Sequence, residues 1–272
     1  MRQSDALVAV IREFESDVVP HPKGSVDPVR DLEDLQLALV LADLTTMEKR
    51  LDRLQRTLKV KKDVESEHER DALLKCKEHL EAERPLRDLD LAPEAWKLLR
   101  GFGFLSQKPL LVVINVGEGR VGQEAEILER CRACVTGANT TLIAFCAQIE
   151  MEIAQLPDEE REGFLADMGI AEPALGRMIQ KSYELMGLIS FFTAGEPEVR
   201  AWTVPNGATA VQSADVIHSD IARGFIRAEV VAYDEYVAHG GIPGSKQAGK
   251  FRLEGKEYVV ADGDVIYFRF NV

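Results

Sequence analysis

The chain has 272 residues, 46% apolar and 29% charged, and its 46 acidic against 33 basic side chains give a formal net charge of −13. That length allows one large or two to three small domains, each with a buried core, and the acidic balance argues against indiscriminate binding to polyanions. The longest apolar run, Pro109 to Val116, is too short to span a bilayer, the first residues read without an export signal, and the four cysteines are then expected as reduced cytoplasmic thiols.

DALVAVIREF, starting at Asp5, is a compact apolar run that fits a strand buried in an α/β sheet. A turn-rich loop follows, SDVVPHPKGSVDP, with Asp17, His21 and Lys23. From Val29 to about Glu83 apolar residues recur at steps of three and four: Leu37, Val40, Leu41, Leu44, Met47, Leu51, Leu54 and Leu58. This spacing predicts a helical hairpin or short coiled coil that turns near Lys59 to Asp63 and returns through Leu73, Leu74 and Leu80. Between Met47 and Lys62, seven basic residues (Lys49, Arg50, Arg53, Arg56, Lys59, Lys61, Lys62) stand against Glu48 and Asp52, a local charge of +5. The simplest reading is a solvated helix face; the sharper one is a basic tip that meets RNA phosphates.

After Pro85, LAPEAWKLLRGFGF predicts a helix with a glycine-rich exit, and KPLLVVINV a second buried strand ending in NVGEGR. A helix over about Gly122 to Cys134, a third strand in NTTLIAFCA and a helix in QIEMEIAQL follow. Strand, helix and strand in succession imply a parallel sheet, whose ligands bind at the carboxyl ends of the strands. Asn115 and Cys146 fall at such ends. Cys131 and Cys134 form C-x-x-C without a second ligand pair, so neither a metal site nor a disulfide is expected.

From about Leu188 the pattern changes to a strand through AWTVP, a Pro-Asn-Gly turn and a helix with Val211, Ala214, Ile217 and Ile221 inward. Strands in IRAEVVAY, KEYVV and DVIYFRFNV complete a small α+β domain of four strands around one helix. GSKQAGKF, Gly244 to Phe251, approaches the phosphate-loop pattern, but Phe251 stands where a hydroxyl belongs and a strand pattern follows instead of a helix. It is not expected to bind phosphate. No Ser/His/Asp grouping follows from residue order, and no catalytic residue is assigned.

FFTAGEPEVRAWTVPNGATA, IHSDIARGFIRAEV, AGKFRLEGKEYVVADGDVIYFRFNV and HPKGSVDPVRDLEDL together resemble the YchF subfamily of Obg-like P-loop ATPases, over about Ser4 to Val272. The resemblance implies an α/β fold with three parts. A partial P-loop-type parallel sheet takes residues 1–28 and 84–187, an inserted α-helical hairpin takes 29–83, and an α+β β-grasp (TGS) domain takes 188–272. It also implies that NVGE, Asn115 to Glu118, is the family's N-x-x-E motif in place of the GTPase N-K-x-D, which shifts base preference from guanine to adenine. Asn115, Val116 and Glu118, with Cys146 and Ala147, would form the base side of a nucleotide site. Ribosome or RNA association would run through Arg50, Arg53, Arg56, Lys59, Lys61 and Lys62 in a cytoplasmic protein without membrane contact.

The resembled family uses ATP and Mg²⁺. Its glycine-rich loop, loop lysine and switch regions match no segment of these 272 residues, so this chain alone is expected to take no cofactor and not to hydrolyse ATP. The alternatives are the C-terminal part of a split or truncated ATPase, or a protein-interaction module. In the family's topology the strand over residues 6–14 would carry an unpaired apolar edge, to be covered by a partner chain or by self-association.

Overall fold

Strand β1 (Leu7–Glu13), β2 (Leu110–Val116) and β3 (Thr140–Phe145) form one parallel sheet in the order β1-β2-β3, with Leu7 opposite Leu110 and Leu110 opposite Thr140. The computed structural model in which they lie describes residues 1–60, 63–135, 137, 139–195 and 198–271. It divides into two units, Met1–Met186 and Gly187–Val272. The central strand β2 is apolar almost throughout because both of its faces are covered. Leu110, Val112, Ile114 and Val116 share a core with Ala9, Ile11 and with Ile127 and Cys131 of helix Glu124–Arg132, while Leu111 and Val113 meet Met178 and Leu185 of helix Ala174–Leu185. β1 pairs with β2 alone in this sheet, and on its less covered side Val8 is 50% and Val10 67% exposed. The outer strand thus has the apolar surface expected of residues 6–14.

Helix α1 (Pro28–Val60) and helix α2 (Val64–Glu81) form the hairpin. Asp27 starts α1 by accepting hydrogen bonds from the amides of Val29 and Arg30, with Pro28 in the first turn where its missing N–H costs nothing. Asp63 starts α2 by accepting from the Ser66 amide. Val40, Met47, Leu51 and Leu54 pack against Leu73, Cys76 and Leu80, but Leu37, Leu41 and Leu74 are exposed. The expected apolar seam is therefore narrower than its sequence pattern. The early part of α1 instead turns Leu32 into the sheet core and Asp43 onto the chain before β2. Helix α3 (Pro93–Leu99) closes the hairpin core with Leu99, and Phe104 follows it.

Helices α4 (Glu124–Arg132), α5 (Ala147–Gln155), α6 (Asp158–Asp167) and α7 (Ala174–Leu185) complete the first unit. The second unit carries strands β4 (Leu188–Ala194), β5 (Val199–Pro205), β6 (Phe225–Ala232), β7 (Arg252–Glu254) and β8 (Asp264–Phe270) in the order β5-β4-β8-β6-β7. Only the β4–β8 pairing is parallel. Ile189, Phe191, Val230, Ile266 and Phe268 pack against Ala210 and Ala214 of helix α8 (Ala210–Ile217), which opens with a Thr209–Gln212 capping box. Helices α9 (Ser219–Arg223), α10 (Tyr233–Ala238) and α11 (Ile242–Gln247) are short.

Two local expectations change here. LISFFTA is a strand, and KEYVV is not: Val259 makes one isolated bridge to Thr209, while the Tyr258 hydroxyl donates to Asp264 at 2.6 Å and the Tyr258 amide closes a turn on Gly255. The polar network at Asp264 takes this segment out of the ladder, and the short β7 pairs with β6 in its place. In GSKQAGKF the helix precedes the final glycine. Lys250 pairs with Glu235 at 2.8 Å, Lys246 lies over the Phe251 ring at 4.3 Å, and a methyl group at Gly244 would stand 1.8 Å from the His239 carbonyl oxygen. Both lysines serve the fold. Among the described residues no helix is long and apolar enough to cross a membrane.

Candidate nucleotide-binding site

Asn115 lies near the carboxyl end of β2, opposite Phe145 of β3. Its Oδ1 accepts a hydrogen bond of 3.0 Å from the Ala147 amide, tying the loop after β3 to the end of β2. Its Nδ2 makes no hydrogen bond among the described residues, which leaves both of its N–H donors for a further acceptor. Ala147 is exposed at the first turn of α5, preceded by Cys146, whose side chain is buried in the sheet core. Val116 is likewise buried, so Val116 and Cys146 can offer a ligand their backbone only. Glu118 is exposed and opens a single 3₁₀ turn, Glu118–Arg120. All five expected base-side residues therefore lie on neighbouring strand ends.

Gly117 lies close to Phe14: a methyl group there would come within 3.1 Å of Phe14 Cβ. This close approach brings the end of β1 against the turn after β2. Ion pairs tie the end of β1 to that turn and to α4: Glu13, almost fully buried, accepts from Arg130 of α4 at 2.7 Å, and Arg120 of the turn stands 3.7 Å away. Residue order alone did not single out Glu13, Arg120 or Arg130. The available signal was an acid at the end of an apolar strand with arginines after the Asn115 turn and in the next helix. His21 in the loop after β1 meets Asp31 at 2.8 Å, while its Nδ1 accepts from the Lys23 amide. A cavity of about 240 Å³ adjoins the strand ends, lined by Gly122, Phe145, Cys146, Ile149 and Arg177. Cys131 and Cys134 are free thiols, and burial pushes both of their pKa values up.

The basic residues lie apart from these strand ends, along α1. Arg53, Arg56 and Lys59 are exposed. Arg50 is held by Glu69 of α2 through two bonds of 2.7 and 2.6 Å, and the hydrogen bond and charge of Glu69 raise its pKa against desolvation. Lys61 and Lys62 lie outside the described residues. Asp63, Glu65, Glu67 and Glu69, on and just before α2, face the opposite way in charge, so the hairpin end has a basic helix and an acidic one.

Over 274 residues the chain is 48% identical to a protein of Bacillus subtilis (strain 168) named ribosome-binding ATPase YchF, covering all of this chain and 75% of that protein. The chain belongs to the YchF family. Proteins of the same name from Pasteurella multocida (strain Pm70) and Escherichia coli O157:H7 are 43% and 41% identical over 272 residues, each covering all of this chain and 74% of its relative. A family model described as YchF-GTPase_C, "Protein of unknown function (DUF933)", matches residues 188–271. The solved YchF GTPase of Schizosaccharomyces pombe superposes with a TM-score of 0.82 at 27% identity, over 98% of this chain and 73% of that one. Mixed α/β architecture with a parallel sheet and a second sheet is thus the YchF fold.

Proposed function

We propose that these residues form the base-recognising and ribosome-facing part of a YchF-type nucleotide-binding protein, with adenine preferred over guanine. One observation carries this reading: Asn115 locks the Ala147 amide with its oxygen and keeps its Nδ2 donor open, at the carboxyl ends of two adjacent parallel strands. In open α/β sheets ligands bind at such ends. Glu118, on the exposed turn after β2, replaces the acid position of the GTPase motif. The relatives named ribosome-binding ATPases support both halves of the proposal.

Phosphates and Mg²⁺ are a separate matter. Phosphoryl transfer rests on positioning and on neutralising phosphate charge with a glycine-rich loop, a lysine and a metal ion. Among these residues the nearest sequence match to such a loop, GSKQAGKF, has its lysines engaged with Glu235 and Phe251. On this reading no phosphate grip or Mg²⁺ ligand is assigned to the described residues. Calorimetry on the 272-residue chain should give matched, weak affinities for ATP and adenosine, near millimolar. ATP binding a hundredfold tighter than adenosine would reject this division.

We assign residues 1–28 with 84–187 to the nucleotide domain, 29–83 to an inserted coiled-coil hairpin and 188–272 to a TGS module of β-grasp type. The mixed five-stranded sheet packed on α8 supports the last of these. Arg53, Arg56 and Lys59, with Lys61 and Lys62, are the assigned ribosomal RNA contacts, Arg50 having a lesser share because Glu69 holds it. A cytoplasmic site of action follows from that partner.

A further inference from the structure

A cleft of about 620 Å³ lies at the amino ends of β1 and β2, at the other end of the sheet from Asn115. Arg2, Lys97, Arg100 and Lys108 line it against one carboxylate, Asp5, in a chain whose net charge is −13. Two of these cations are struts. Arg2 donates to Asp43 at 3.3 Å, to Thr46 at 3.1 Å and to the Gly103 carbonyl at 3.2 Å, and Lys108 holds the Ser4 carbonyl. The other two are different: Lys97 on α3 and Arg100 just after it are exposed and make no ion pair or side-chain hydrogen bond among the described residues. Between them and the hairpin core stands Trp96, half-buried, with its ring packed against the apolar cluster behind it. Its indole N–H has no acceptor among the described residues. The cleft thus holds two unpaired cations beside an aromatic side chain, against a single carboxylate.

We propose that this cleft binds a short run of single-stranded RNA, with phosphates on Lys97 and Arg100 and a base against the Trp96 ring. Open cations ask for an acceptor-rich strand, and an aromatic wall asks for a flat partner; an unpaired nucleotide supplies both. An acidic peptide would satisfy the cations and leave the ring without a partner, and a duplex keeps its base faces stacked. The proposal extends the RNA-association reading above to a surface separate from the basic face of α1.

Trp96 and Trp202 are the two tryptophans of the chain, so Trp202→Phe leaves Trp96 as the single reporter. Titration of that protein with oligouridylate should quench the Trp96 emission, with an affinity that falls as salt rises. Lys97→Glu with Arg100→Glu should weaken binding at least tenfold, and removing two phosphate contacts should lower the log–log salt slope by about 1.4. Trp96→Phe, read by anisotropy of a labelled oligouridylate, should weaken binding several-fold through poorer stacking; the same readout serves if Trp202→Phe fails to fold. Absence of quenching, indifference to the Lys97 and Arg100 changes, or equal competition by oligoglutamate would each overturn the proposal. Arg53→Glu, Arg56→Glu and Lys59→Glu together test the hairpin reading separately, through ribosome co-sedimentation: if that triple change left co-sedimentation intact while the Lys97 and Arg100 changes still abolished the Trp96 quench, the hairpin reading would fail and the cleft would stand.

Discussion

Asp43 sits in the middle of α1 with no exposed surface, a costly place for a carboxylate unless its lone pairs are used. It accepts from the Leu105 amide at 2.9 Å, from the Ser106 amide at 2.6 Å and from Arg2. Asp43→Ala would leave two buried amides without their acceptor and remove one of the partners of Arg2, and should destabilise the first unit by about 2 to 4 kcal/mol in urea denaturation; a change within about 0.5 kcal/mol would show that water replaces the carboxylate. His79 makes the opposite electrostatic case. Burial, then the charge of Arg84, holds its pKa below the ordinary value, against the 3.1 Å hydrogen bond to the Pro85 carbonyl. The unfolded chain therefore takes up a proton more readily than the folded one. The stabilising contribution is complete above the unfolded value of about 6.5 and is lost as pH falls through it towards the lower folded value. Denaturation midpoints at neutral and mildly acidic pH should diverge less in His79→Gln than in the wild type, and an unaltered pH dependence would remove His79 as its source. Neither residue stood out in the sequence: a lone acid or histidine in a charged helix reads as solvated until its neighbours in space are known.

The helical hairpin was legible because its apolar period is long, and its turn falls where Asp63 caps the return helix. Its charge was only half legible. A linear window over Met47 to Lys62 counts +5 but leaves out the acids of α2 that lie alongside, among them Glu69 on Arg50. Reversing Arg53, Arg56 and Lys59 should lower ribosome co-sedimentation several-fold and flatten its salt dependence, whereas Arg50→Glu should mainly reduce hairpin stability by setting two carboxylates together. Equal loss of ribosome binding from both changes would assign the contact to charge in general. The second sheet was less legible than the first. β4 lacks a clean alternation and lies between two neighbours, and KEYVV has strand-forming residues whose backbone the Asp264 network turns aside. Short helices α10 and α11 carry too few turns for a period to declare itself.

Across the chain as a whole, the parallel pairing followed from strands alternating with helices, while the order β1-β2-β3 did not, and Asn115 and Cys146 were already expected at strand ends. What residue order could not give was the tie between β1 and the Asn115 turn through Glu13, Arg120 and Arg130, because those three are brought together only by the parallel register. The same register makes β1 an outer strand with Val8 and Val10 half or more exposed. An apolar outer strand recruits a neighbour. Sedimentation of the 272-residue chain should show association that grows with concentration and is reduced in Val8→Lys with Val10→Lys; a wild-type chain that stays monomeric throughout would show that the edge is tolerated bare.

The division between base recognition and phosphate grip is tested most directly by ATP turnover of the purified 272-residue chain with Mg²⁺, alongside an Asn115→Ala control that exposes contaminating activity. The expected result is no hydrolysis above that control. Turnover that depends on Asn115 and survives repurification would contradict the account, since these residues would then hold a triphosphate themselves.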